Sequence, residues 1–167
     1  DGFVSRGLGD VYKRQGIGFE TGVEFLNLGA NVIFHGNQSI NDLEARIKSK
    51  SQSQNFKIFK SDFTDLSQVD NFMNNAINYL NGLDILVNNA GTMVGRYQLE
   101  TISEKDFLKI FDLNAKSAYF ATKSACTIFK KQNYGNIINV STISARTGGS
   151  AGSSVYAASK AFVSGIT

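Results

Sequence analysis

The chain has 167 residues, is 42% hydrophobic, contains no proline and carries a net charge of +3. That length and apolar content suit one domain with a packed core. Its charges form no basic stripe for nucleic acid, no run approaches the ~20 apolar residues of a membrane span, and the single cysteine, Cys126, excludes a disulfide framework and suits a reducing, cytoplasmic setting. Cys126 lies in an apolar helical stretch and reads as a buried, inert thiol.

The first segment stands apart. Ser5 to Gln15 reads SRGLGDVYKRQ, which matches the translation of a transposase sequencing-library adapter, mosaic end included. Residues 1–15 are therefore set aside as a non-native segment, as an expression scar would be. Residues 1–9 are expected to be irregular, and a natural first strand is expected to be missing. The chain also stops inside an apparent helix at Thr167, so a C-terminal part is expected to be missing too, and the polypeptide as written is expected to be inactive.

From Gly16 onward, helical and extended patterns alternate. Ile17 to Leu28 reads as a helix stopped by Gly29. Val32-Ile33-Phe34 reads as a strand. Ile40, Leu43 and Ile47 recur at helical spacing, and Phe56 to Phe59 is the next strand. Asp65 with Gln68 opens a helix as a variant capping box, with the stripe Val69, Phe72, Met73 and Ile77. Leu83 to Val87 is a strand. Ser103 and Asp106 begin a longer helix running through Phe107, Ile110, Phe111, Ala118, Ala121 and Ala125. Ile137 to Val140 is the last strand, and the Gly- and Ser-rich stretch from Ser144 to Ser154 reads as an active-site loop. Short apolar strands of this kind are buried on both faces, as in a parallel sheet. The alternation gives a doubly wound α/β domain, without internal repeats or linkers.

In such a sheet ligands bind beyond the carboxyl ends of the strands, and the chemistry-bearing residues fall there. Gly16-Ile17-Gly18 opens the first helix, where bare N–H groups and the helix dipole can hold a pyrophosphate. Asn88-Asn89-Ala90-Gly91 follows an apolar strand, and Gly91 would let the backbone approach a flat ligand closely. Asn114 is a lone polar residue inside the long helix. Ser141-Thr142 follows the last strand. Tyr156 and Lys160 are four apart in Tyr-Ala-Ala-Ser-Lys, which on a helix puts phenol and ammonium on one face. Free Tyr titrates near ~10, and a neighbouring cation favours the phenolate.

In this combination, from Gly16 to Thr167, the chain resembles the short-chain dehydrogenase/reductase family. The resemblance implies a Rossmann-like fold, incomplete here, with residues 16–167 as a partial NAD(P)-binding domain. It also implies hydride transfer between a nicotinamide and a carbonyl or secondary alcohol. Tyr156 would be the acid/base. Lys160 would favour its phenolate and hold the cofactor ribose, and Asn114 would anchor a water in the proton relay. A Ser usually polarises the substrate oxygen; the corresponding position here is Thr142, with Ser141 and Ser144 as alternatives. Cofactor contacts are implied at Gly16, Ile17, Gly18, Asn37, Asp62, Phe63, Asn89, Ala90 and Gly91, besides Tyr156 and Lys160. The acidic residue of NAD-preferring relatives is replaced by Gly36, which leans towards NADP, with NAD as the alternative. His35 reads as a strand-end residue without a catalytic role. No metal site is implied.

The pattern is closest to the 3-oxoacyl-(acyl carrier protein) reductase branch. A sugar or alcohol dehydrogenase, a dehydratase or epimerase of the extended branch, and a non-catalytic dinucleotide-binding protein are the alternatives. Relatives pair their long helices as homodimers or homotetramers, and the small residues from Ala115 to Ala125 suit such pairing or packing within one subunit.

Overall fold

The computed structural model describes residues 2–5, the first four by backbone alone, together with residues 16–37 and 40–167. Five parallel strands form one sheet in the order β3-β2-β1-β4-β5. They are β1 (Gly2–Ser5), β2 (Val32–Gly36), β3 (Phe56–Lys60), β4 (Ile85–Asn88) and β5 (Asn136–Asn139). The connecting helices are α1 (Ile17–Asn27), α2 (Ile40–Lys50), α3 (Leu66–Leu80), α4 (Glu104–Phe111), α5 (Ser117–Gln132), the single turn α6 (Ser144–Thr147) and α7 (Ser154–Gly165).

Alternating strand residues feed two apolar layers. Val32, Phe34 and Val87 pack with Phe19, Val23, Leu26, Leu43 and Ile47 from α1 and α2. Ile33 and Leu86 point the other way, towards Val69, Phe72, Met73 and Ala76 of α3 and Ala121 and Ala125 of α5. A sheet covered on both faces is the doubly wound arrangement, as expected from the strand pattern.

The punctuation of the sequence is realised. The Asp65 carboxylate accepts from the Ser67 N–H at 2.9 Å and from Gln68 Nε2 at 3.2 Å at the start of α3. The Ser103 hydroxyl accepts from the Asp106 N–H at 3.1 Å and donates to its carboxylate at 2.7 Å. Gly29, at φ +92°, closes α1.

Two expectations need correction. The centre of the sheet is filled by Gly2–Ser5, which pairs in register with Val32–His35 on one side and Ile85–Val87 on the other. The neighbouring strands each present an unpaired backbone edge there, and any short extended segment can satisfy those groups. Setting residues 1–15 aside as non-native leaves out Gly2-Phe3-Val4, an uncharged run able to pair as a strand. Most of the adapter-like segment, residues 6–15, lies outside the described residues. The second correction is that the long helix is not continuous: a π-helical turn, Asp112–Lys116, separates α4 from α5.

Candidate active site

The carboxyl ends of β4 and β5 bring four segments together: the Asn89–Thr92 turn, the π-helical turn, the residues after β5, and α7. Asn114 is fully buried at their centre. Its Oδ1 accepts from the Thr92 N–H at 2.8 Å, and its Nδ2 donates to the Thr92 carbonyl at 3.0 Å and to Ser159 Oγ at 3.0 Å. A π turn displaces the following helix by one residue and is a recurrent feature of functional sites; here it carries Asn114 inward. The Asn114 side chain is thus committed to holding the turn and α7 together. Both Nδ2 hydrogens are used there, and the second Oδ1 lone pair is left for a relay water.

Lys160 is 4% exposed and donates from Nζ to the Val140 carbonyl at 2.9 Å. Burial pushes its ammonium down to about 8, so at neutral pH it is still mostly a cation. Gly91 closes over it: a Cβ there would lie 2.9 Å from both Lys160 Nζ and Asn114 Oδ1 and 3.1 Å from Lys160 Cε. The Asn89-Ala90-Gly91 turn, Asn114 and Lys160 therefore converge, as the sequence reading expected. Tyr156, half-buried, precedes Lys160 by one turn of the unbroken α7 and lies on the same helix side.

The three hydroxyl candidates separate. Ser141 Oγ donates to the Lys160 carbonyl at 2.9 Å and bonds Ser164 Oγ at 2.7 Å, so it serves to seat α7. Ser144 heads α6, packed beside Gly149. Among the described residues Thr142 Oγ1 accepts a long bond from the Ser144 N–H, 3.4 Å, and an acceptor role leaves the hydroxyl hydrogen available.

At the far end of the cleft, α1 begins at Gly16 without a side-chain cap, and space beside the Gly16 Cα is open. Gly18 is buried, and Ile17 is exposed. An uncapped N-terminus with this open space fits an anionic group. Asn37, half-buried, follows β2. Asp62 holds its own turn, accepting from the Thr64 N–H at 2.9 Å and the Thr64 hydroxyl at 2.8 Å. Phe63 stacks on His35 at 3.8 Å inside the core, so its ring turns away from any ligand beyond the strand ends and its backbone alone is left for contact. His35 is buried with Nε2 donating to the Ser61 carbonyl at 2.7 Å, in keeping with a structural role. Cys126 is half-buried rather than buried, lining a surface cavity of about 340 Å³ with Tyr119, Thr122 and Lys130.

The sequence reading missed Thr92 and Ser159. Ser159 was in plain view between Tyr156 and Lys160, but its role depends on a partner 45 residues away. Among the described residues no cluster of metal-ligating side chains occurs, and no helix is long and apolar enough to cross a membrane.

Comparison with known proteins assigns the chain to a class. The short chain dehydrogenase family matches residues 13–167, and the chain belongs to that family. Among its relatives is the hydroxynaphthalene reductase-like protein Arp2 of Metarhizium acridum (strain CQMa 102), 30% identical over 154 residues; the match covers 92% of this chain and 57% of the relative. The chain thus spans little more than half the length of that curated relative. The crystal structure of NADH-dependent reductase A1-R' complexed with NAD is 28% identical, with a TM-score of 0.83, over 98% of this chain and 68% of the other. A metagenomic short-chain oxidoreductase in complex with NADP, at 21% identity and a TM-score of 0.84 over 99% and 72% of the two chains, shares the fold.

Proposed function

We propose that the protein is an NAD(P)H-dependent oxidoreductase acting on a carbonyl or secondary alcohol. The observation that carries this reading is the convergence of Lys160, Asn114 and the Gly91 turn beside Tyr156. Residues 16–167, with β1 at the centre of their sheet, form the nucleotide-binding unit. The amides of Gly16, Ile17 and Gly18 hold the pyrophosphate. Asp62 and the Phe63 backbone meet the adenine, and the Asn89-Ala90-Gly91 turn and Lys160 hold the ribose. When bound, the nicotinamide supplies or accepts the hydride.

The chain's own residues do the rest. The Tyr156 hydroxyl gives a proton to the carbonyl oxygen in reduction and takes it back in oxidation. Lys160 stands one helical turn further on as a buried cation at neutral pH. Thr142 donates a hydrogen bond to the substrate oxygen. Asn114 keeps the floor of the cleft in register.

NADP is the proposed cofactor because Gly36 offers no carboxylate to the ribose 2′-hydroxyl, with NAD as the alternative. The reductase relatives support reduction as the working direction. A 3-oxoacyl thioester is the proposed substrate class, with a sugar or alcohol as the second reading. The test is cofactor oxidation by the full-length protein across 3-oxoacyl thioesters, aliphatic ketones and keto sugars. Turnover with one class supports the reading. Tight NADPH binding with no turnover on any class would point to a dinucleotide sensor instead.

A further inference from the structure

We propose that Ser159 is a positioning residue that ties Tyr156 to the buried Asn114. This rests on the oxidoreductase reading, and adds a residue to it. Ser159 is fully buried. Its hydroxyl donates to the Tyr156 carbonyl at 2.7 Å and accepts from Asn114 Nδ2 at 3.0 Å. A Ser that bonds back into its own helix normally leaves its lone pairs to solvent. Here one acceptor lone pair is taken by Asn114 Nδ2 in the core, and donation to the carbonyl polarises the hydroxyl into a better acceptor.

The chain of contacts runs from the Thr92 backbone through Asn114 and Ser159 to the backbone of Tyr156 itself. A separate bond, from Lys160 Nζ to the Val140 carbonyl, fixes the other member of the pair. Lys160 is therefore anchored to the end of β5, whereas the turn bearing Tyr156 is anchored to the π-helical turn through one hydroxyl. Ser159 sets the placement of the phenol relative to the ammonium and touches neither substrate nor reacting atoms.

The experiment compares the full-length protein with Ser159→Ala, Ser159→Thr and Ser159→Cys. A small misplacement of a catalytic group can lower turnover by about two orders of magnitude, so Ser159→Ala should lose roughly 10- to 100-fold in kcat. Its NADPH affinity should stay near the parent's. Its pH–kcat profile should be displaced, and Ser159→Thr, which keeps the hydroxyl, should return the profile towards the parent's. Ser159→Cys, of similar size but a weak hydrogen-bonding group, should fall between and decides the matter if Ser159→Ala does not fold. Parent kcat and pH profile in the folded variant, even with a lowered Tm, would overturn the proposal. If the parent itself reduces no carbonyl, the oxidoreductase reading fails separately. Amide exchange then still tests the tether: acceleration confined to residues 157–160 in Ser159→Ala supports it, and unchanged or uniform exchange along α7 contradicts it.

Discussion

Lys160 shows how burial and charge divide the work of a single residue. Its ammonium is held down to about 8 by desolvation, against about 10.4 for a free lysine. The unfolded chain therefore binds more protons than the folded one between those values, and stability should rise with pH across that window. Below pH 8 the folded state carries a buried cation at a cost of roughly 3 kcal/mol; above about 10.4 that cost is gone. Lys160→Met removes the titration, so its stability relative to the parent should be higher at pH 7 than at pH 10, as measured by denaturant unfolding. A pH-independent difference would contradict the burial argument. Gly36 offers a second residue-scale test. A Cβ there would meet Leu43 and Ile58 at ordinary contact distances, 3.6 and 3.7 Å, so Gly36→Asp should fold. The new carboxylate should repel a 2′-phosphate and accept from a 2′-hydroxyl, moving the kcat/KM ratio of NADPH to NADH by about tenfold or more towards NADH. An unchanged ratio would mean that the end of β2 does not face the ribose.

At the scale of elements, much was legible and some was not, for identifiable reasons. Helix starts carried their own chemistry: Asp65 and Ser103 cap as their side chains allow. The central strands were readable because burial on both faces leaves continuous apolar runs, as in Val32 to Phe34, whereas β3 and β5 are partly exposed. The π-helical turn was not readable, because the stripe Phe107, Ile110, Phe111, Ala118, Ala121 and Ala125 keeps α-helical spacing straight across it. Ser159 and Thr92 were invisible as partners of Asn114 because contact across 45 and 22 residues is set by packing, not by local pattern. The central strand was misjudged because backbone pairing makes little demand on side-chain identity. Glycines show the same limit. Gly22 lies against the Phe34 ring, with a Cβ there 2.7 Å from Cζ, and it lets α1 approach β2. Gly91→Ala should be damaging too, since neither Lys160 nor Asn114 can retreat without breaking a buried hydrogen bond. A loss of about 1–3 kcal/mol in unfolding free energy is expected. A loss well under 1 kcal/mol would show that the turn can relax.

At the scale of the molecule, the surface of the helices adds one point. Ala115, Ala118, Ala121 and Ala125 are buried within the subunit, so they are not free to pair with a second copy. The outer faces of α4, α5 and α7 instead expose Phe107, Leu108, Tyr119 and Phe162, with Phe111 bridging Phe107 and Phe162 by ring contacts. If the full-length protein pairs through its long helices, these side chains are the ones covered. Tyr119→Glu combined with Phe162→Glu should then shift its sedimentation towards monomer. A parent protein that sediments as a monomer would remove that expectation.

Tyr156 is the residue on which the proposed proton transfer depends. Its most direct test is the Tyr156→Phe variant of the full-length protein, with kcat for carbonyl reduction and NADPH affinity measured on the same preparation. Proton transfer by a placed side chain contributes about 10²- to 10⁴-fold, so kcat should fall by at least about 100-fold while NADPH affinity stays close to the parent's. Retention of most of the parent's kcat would contradict the assignment of the proton to Tyr156.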